Sequence, residues 1–325
     1  MEGRIRIGLI GTGHMGQYHV NVCVGLAEYE VCGIHDVNQE RRVEIAERFG
    51  VQPYESYESL LDDVDAVVIA VPTVHHYDAA LKALQKGKHV LVEKPMTETV
   101  AQARELVELA TRNGLIFQVG HVERFNGAVL ELSKVVDQPM LIESRRLAPF
   151  NPRIGDVGVV LDLMIHDIDI ILNLVNDDVK SVHARGVRRL SGHEDVAVAT
   201  IQFENGCVAN LIASRATQAK IRRLNITQEN AYIVLDFATQ DIDIHRRAQI
   251  AYLMTREELK YKQEAFVEKI AVHRDNPLRQ EHQHFIACIR GMQEPVVGGM
   301  EELRTLEIAT DILEQIQQTM LVEVS

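Results

Sequence analysis

The chain has 325 residues, 46% hydrophobic and 25% charged, enough for two domains with a sizeable core. A formal net charge of −13 with no offsetting basic patch argues against nucleic acid as a partner, although a local site for a phosphorylated ligand stays possible. No apolar run approaches the ~18 residues of a membrane span, and an apolar strand begins within a few residues of Met1, so neither an anchor nor a signal peptide is expected.

The first stretch, Arg4 to Gly16, reads RIRIGLIGTGHMG: a strand, a glycine turn, then helical spacing. That is the G-x-G-x-x-G fingerprint in its required setting, with Gly11, Thr12, Gly13, His14, Met15 and Gly16 placed to meet a pyrophosphate at a helix N-terminus. Asp36 ends a second apolar strand, Val31 to Ile34, about 20 residues past the last glycine, where a carboxylate holds a ribose 2′-hydroxyl. It would also repel the 2′-phosphate of NADP, so NAD is the expected cofactor. Arg41 and Arg42 lie in the next helix and are expected to face solvent.

A helix from Glu40 to Phe49 follows, then a short connection through Pro53-Tyr54 and a strand from Ala66 to Val71. A helix from His75 to Gln85, a strand from His89 to Val92, a helix from Thr99 to Asn113 and a strand from Leu115 to Val119 complete the pattern. Thr99 and Gln102 have the spacing of a capping box. The alternation predicts an α/β domain over residues 1–121, a doubly wound parallel sheet of the Rossmann type with ligands at the carboxyl ends of its strands. Pro72-Thr73, Glu93-Lys94 and His121 fall at such ends. Pro72, Thr73, His76, Glu93 and Lys94 therefore join the candidate cofactor residues.

Past residue 121 the grammar changes. A helix (Asn126 to Val136), a strand (Met140 to Arg146) and a loop (Pro149 to Asp156) lead to an apolar helix, and strands with short turns occupy Val182 to His245. Asn205-Gly206 between two apolar runs marks a hairpin. Two helices, Pro277 to Arg290 and Glu301 to Met320, close the chain. Residues 122–325 are thus expected to form an α+β domain with an open, mostly antiparallel sheet. Strands such as Cys207 to Ser214 are apolar on both faces, one for local helices and one for a second subunit. The cysteines Cys23, Cys32, Cys207 and Cys288 show no metal spacing and read as reduced thiols of a cytoplasmic protein.

On the helix Val159 to Val175, Asp162, His166, Asp169 and Asn173 share one stripe of an otherwise apolar surface. That stripe is either a structural pair inside the core or a general base with an orienting carboxylate. Lys94, which follows a parallel strand and precedes the rigid Pro95, a candidate cis bond, is expected in the crevice beside the nicotinamide. His282 and His284 are two apart on a helix and cannot share a face, and Asp162 with His166 lacks a third ligand, so no metal is expected.

The glycine turn, VPTVHH at 71–76, EKP at 93–95 and DLMIH at 162–166 together resemble the Gfo/Idh/MocA oxidoreductases over the full chain. The resemblance implies a catalytic group of Lys94, Asp162 and His166, a place for His76 at helix entry or in the cofactor pocket, and a C-terminal sheet that forms a homodimer or homotetramer. Gly120 to Asn126 and Asp156 to Asp169 are similar to the members that oxidise the C3 hydroxyl of UDP-N-acetylglucosamine, ahead of an aminotransferase making a 3-amino sugar for lipid A-type lipids. Gly127 departs from the proline expected there. Under this resemblance Arg124 and Asn126 line the substrate site, with Asp162 and His166, and Arg145, Arg146 and Arg153 are candidates for the UDP phosphates. The alternatives are a UDP-uronic acid, a free sugar or polyol as substrate, or a non-catalytic NAD-dependent sensor.

Overall fold

The computed structural model describes residues 3–151, 157–247 and 265–322. The chain divides into two compact units, Met1–Phe125 with Asp275–Asp311, and Asn126–Arg274 with Ile312–Ser325. The sequence suggested a single change near residue 121; the segment Asp275–Asp311 instead groups with the N-terminal unit.

The first unit is built on five parallel strands: β1 (Ile5–Ile10), β2 (Tyr29–His35), β3 (Ala66–Ile69), β4 (His89–Glu93) and β5 (Phe117–Gly120), in the order β2-β1-β3-β4-β5. All four residues of β3 are buried, as in a strand covered on both faces. The connecting helices are α1 (His14–Val24), α2 (Gln39–Phe49), α3 (Tyr57–Asp63), α4 (His76–Gln85) and α5 (Val100–Asn113). Sequence reading passed over α3, a seven-residue helix entered through Ser56, whose hydroxyl accepts the Ser59 N–H. Thr99 caps α5 through the Gln102 N–H, the expected half of a capping box. Strand order reverses between β1 and β3, which marks the ligand crevice of such sheets.

The second unit opens with α6 (Gly127–Leu132) and contains β6 (Leu141–Leu147) and a π-helical turn, Val160–Met164, that runs into α7 (Ile165–Val175). Strands β7 (Val179–Val187), β8 (Val196–Phe203), β9 (Val208–Ser214), β10 (Ile221–Gln228), β11 (Ala231–Asp236), β12 (Asp241–Arg247) and β13 (Ala265–Lys269) follow. With β6 they make one eight-stranded sheet, β13-β12-β11-β10-β6-β9-β8-β7, antiparallel except at β6/β9. Asn205-Gly206 turns the β8/β9 hairpin as expected, with Gly206 at φ +91. Ala197, Ala199, Ile201 and Phe203 are buried on one face of β8, while Val198 on the other is 44% exposed. Gly127 has its own reason: any Cβ there would collide with the carbonyl of His273.

The remaining helices are α8 (Pro277–Ile289) and α9 (Gly299–Val322). Leu278, Phe285 and Ile286 of α8 share a core with Ile5, Ile7 and Leu9 of β1 and Val20 and Cys23 of α1. Among the described residues no helix is long and apolar enough to cross a membrane.

Candidate active site

Gly11 turns the chain out of β1 at φ +84, where an L side chain is strained and would also strike the carbonyl of Ala70 just past β3. A side chain at Gly16 would run into the carbonyl of Gly11, so the first turn of α1 can close on the loop only there. Beside Gly13, by contrast, a Cβ would meet nothing within 4 Å among the described residues. Among those residues no side chain caps the N-terminus of α1, and no acidic residue stands in its first turn. Backbone donors and open space therefore face the same side, which fits a pyrophosphate.

Asp36, just past β2, is buried and tied to this loop: its Oδ2 accepts the Thr12 N–H and hydroxyl, both at 2.8 Å, and its Oδ1 accepts the Asn38 N–H at 2.8 Å. Burial opposes the charge, but the backbone N–H groups of Thr12 and Asn38, the Thr12 hydroxyl and Arg41 outweigh it and hold the carboxyl below its ordinary range. A carboxylate has about four acceptor positions, so Oδ1 retains capacity for a ribose hydroxyl. Arg41 is exposed, as expected, and stands 3.7 Å from the Asp36 carboxylate, while Arg42 is half-buried and donates to the Asp36 carbonyl at 2.8 Å. The residues present fit a dinucleotide: Gly11 to Gly16 would hold the pyrophosphate and Asp36 the ribose.

At the end of β4 the Lys94-Pro95 peptide is cis. His76, the first residue of α4, is buried with Nδ1 2.8 Å from the Pro95 carbonyl and Nε2 2.9 Å from the Val71 carbonyl, so it ties the ends of β3 and β4 together. Burial lowers its pKa, and a neutral ring donates to only one of the two carbonyls at a time. Pro72 and Thr73 lead into the short turn Thr73–His75 before it.

The Glu93 side chain points inward, which revises its assignment as a cofactor contact. Its Oε1 accepts from His19 at 2.9 Å and its Oε2 from the Lys94 N–H at 3.3 Å. Behind it, His19 Nδ1 lies 2.8 Å from His282 Nε2, and His282 Nδ1 lies 3.3 Å from the Tyr29 hydroxyl. Glu281, next to His282 on α8, is fully buried, and both of its carboxyl oxygens lack a hydrogen-bond partner among the described residues. Burial and the Glu93 charge push Glu281 well above the carboxylate range; burial and His19 push His282 well down. Sequence reading missed this group because it weighed His282 only as a metal ligand against His284. The signal was periodicity: Leu278, His282, Phe285 and Ile286 form the buried stripe of α8, and His19 falls between Gly16 and Val20 on that of α1. His121, past β5, pairs with Glu302 of α9, both fully buried.

In the second unit the π turn carries Asp162 and precedes His166. Gly158 abuts the Glu194 carboxylate, which accepts the Val160 N–H at 3.0 Å and so fixes how the helix begins. π-turns interrupt helices frequently at functional sites. Asp162 and His166 are half-buried, Asp169 is buried and Asn173 is exposed, so the expected stripe is not buried along its whole length. Arg146 is corrected: its guanidinium binds Asp167 through Nε at 3.0 Å and Nη2 at 2.7 Å and lies over the Phe237 ring, fully buried. The Ser144 hydroxyl donates to the same carboxylate. Arg145 lies on the opposite, exposed face of β6, and Arg153 lies outside the described residues. Asn126 caps α6, accepting the Ala128 N–H at 3.0 Å and donating to the Phe237 carbonyl at 3.2 Å. Arg124 is buried in the turn Val122–Phe125.

Residues 5–121 match the oxidoreductase family with an NAD-binding Rossmann fold, and residues 126–234 match the GFO/IDH/MocA C-terminal domain. The chain is 35% identical to the UDP-N-acetylglucosamine 3-dehydrogenase of Acidithiobacillus ferrooxidans, over 83% of this chain and 90% of the relative. A solved structure of that dehydrogenase superimposes with a TM-score of 0.88, covering 98% of this chain and 99% of the other at 31% identity. The scyllo-inositol 2-dehydrogenase (NAD(+)) of Bacillus subtilis is 26% identical over 95% of this chain and 93% of its own. With its N-terminal glycine turn, its EKP strand end and both domains matched in order, the chain belongs to the GFO/IDH/MocA oxidoreductase family.

Proposed function

We propose that this protein is an NAD-dependent dehydrogenase that oxidises the C3 hydroxyl of UDP-N-acetylglucosamine to the 3-ketone, for use by an aminotransferase. The observation that carries the reading is the 35% identity to a UDP-N-acetylglucosamine 3-dehydrogenase over 83% of the chain. Lys94, Asp162 and His166 stand at the matching motifs.

NAD⁺ bound at the glycine turn supplies the hydride acceptor. His166 takes the proton of the C3 hydroxyl as the C3–H bond breaks, and the C–O bond becomes the ketone. Lys94 donates to the oxygen while negative charge develops on it. Asp162 orients the imidazole or the sugar. Arg145 faces away from α7, on the outer face of the eight-stranded sheet with Val198, Ile212 and Tyr232, and that half-exposed face is the proposed homo-oligomer surface. Four free thiols suit a cytoplasmic site of action.

NADH absorbance, followed with NAD⁺, UDP-N-acetylglucosamine and a 3-aminotransferase with glutamate to remove the ketone, tests the reading. UDP-sugar-dependent NADH production is expected. Turnover with scyllo-inositol alone would replace the substrate while keeping the fold and cofactor. His166→Ala is expected to lower turnover by about 10²–10⁴-fold with NAD affinity nearly unchanged, and undiminished turnover would sink the mechanism.

A further inference from the structure

Three side chains from separate elements stand behind Glu93 in single file: His19 from α1, His282 from α8 and Tyr29 from β2. All are buried, so bulk water does not set their protons, and the heavy-atom geometry does. An ionised Glu93 can only accept, so His19 Nε2 carries a hydrogen. If His19 is neutral, its Nδ1 is an acceptor, and His282 Nε2, 2.8 Å away, must donate. His282 Nδ1 is then the acceptor for the Tyr29 hydroxyl at 3.3 Å. Every donor points the same way: Tyr29 to His282, His282 to His19, His19 to Glu93. No second neutral arrangement satisfies the Glu93 end.

We propose that the Tyr29–His282–His19–Glu93 chain is a positioning device for Lys94, holding Glu93 ionised and fixed so that its other oxygen keeps the Lys94 backbone in register. The proposal rests on the reading of Lys94 as the group that stabilises the alkoxide. The residues act through Lys94; none of them is required to touch substrate.

The groups acting on Glu93 are His19 on α1, His76 on α4, Lys94 beside it and Glu281 on α8, while Cys23 on α1 and Tyr29 on β2 face His282 behind them. Burial alone raises a carboxyl; the His19 hydrogen bond and the charge of Lys94 act against it, and Glu93 lies below its ordinary value. Glu281, held neutral beside it, leaves the Glu93 charge unopposed. Were the chain reversed or broken, Glu93 would face burial without its principal donor and would take up a proton at a higher pH.

The first measurement is the tautomeric state of the two rings in the wild-type protein with NAD bound, by nitrogen NMR of labelled histidine. Both imidazoles are expected neutral with hydrogen on Nε2 at neutral pH. Hydrogen on Nδ1 of His19, or an imidazolium in the chain, would overturn the arrangement whether or not the substrate has been identified. The second is the pH profile of hydride transfer. His282→Leu is expected to lower kcat by about tenfold or more, to leave NAD affinity within about twofold, and to add an acidic limb absent from the wild type. His282→Gln, which keeps a donor for His19, is expected to restore both the rate and the profile. A His282→Leu profile parallel to wild type, or equal impairment in the Gln and Leu variants, would show mere packing and overturn the proposal. Absence of turnover with UDP-N-acetylglucosamine in the wild type, with the tautomers as expected, would instead remove the substrate reading and leave the chain standing.

Discussion

Each unit buries a polar cluster, and the two are solved in opposite ways. In the second unit one cation meets one anion: Arg146 binds Asp167 in two hydrogen bonds, Ser144 supplies another, and Phe237 covers the guanidinium. In the first unit Glu93 and Glu281 share a pocket with His19 and His282, where burial pushes Glu281 well up and His282 well down. A matched pair sets one charge against its opposite and leaves no excess of either sign. A cluster with an excess of carboxyl groups must hold one of them protonated, and its stability then depends on pH. The comparison separates scaffolding from a group set beside chemistry. The matched pair joins β6 to α7, whereas the unmatched cluster stands directly behind the EKP turn.

The largest effect is expected from breaking the matched pair. Asp167→Ala strands the Arg146 guanidinium in the interior and should cost about 3–5 kcal/mol in urea denaturation. A double variant, Arg146→Met with Asp167→Leu, should recover most of that loss, because an apolar pair of similar volume needs no compensation. Loss in the double variant as large as in the single one would show that the pair itself, rather than the stranded charge, stabilises the unit.

The unmatched cluster should respond to pH. Unfolded, Glu281 titrates near its ordinary 4.5; folded, it titrates well above that. Between those values the folded state binds more protons, so its contribution to stability falls as pH rises, by up to about 1.4 kcal/mol per pH unit. Glu281→Gln has no proton to hold and should be stabilised relative to wild type by a margin that grows upward from about pH 4.5. His282 runs the other way. Its folded pKa lies well below 6.5, so the unfolded state gains protons as pH falls through 6.5 and stability drops there. Chemical denaturation at pH values about one unit apart checks both, and a pH-independent Glu281→Gln margin would refute the protonated carboxyl.

What could be read in advance follows the same division. The glycine turn, the strand ends and the β8/β9 hairpin were legible because each depends on local backbone chemistry: Gly11 at positive φ, Pro95 after Lys94, Asn205-Gly206 between apolar runs. The helix α3 was not legible, because seven residues carry too little periodicity to stand out. Arg146 and Asp167 are 21 residues apart in sequence, and their pairing needs the register that sets β6 against α7. Alternation along β6 puts Arg145 and Arg146 on opposite faces but does not say which face is interior, so both read as phosphate candidates. His19 and His282 lie 263 positions apart, so their meeting depends on α8 returning to the N-terminal core. The π turn was also invisible, since Val160–Met164 has the composition of an ordinary buried helix.

The smallest expected effect supplies the control for the other two. Asn38 caps α2 with its side-chain oxygen on the Arg41 N–H at 2.9 Å, while its own backbone N–H serves Asp36. Asn38→Ala removes the first bond and keeps the second, so it should cost about 1 kcal/mol and lower the melting temperature by roughly 2–4 °C. No titrating group is lost, so the cost should be the same at pH 5 and pH 8 to within about 0.5 kcal/mol, in contrast to the sloping margin of Glu281→Gln. NAD affinity, read by fluorescence titration, should stay within about twofold because the carboxylate of Asp36 keeps its Thr12 and Asn38 donors. A larger loss of NAD binding would mean that the cap, by seating Arg41 beside Asp36, takes part in holding the cofactor ribose.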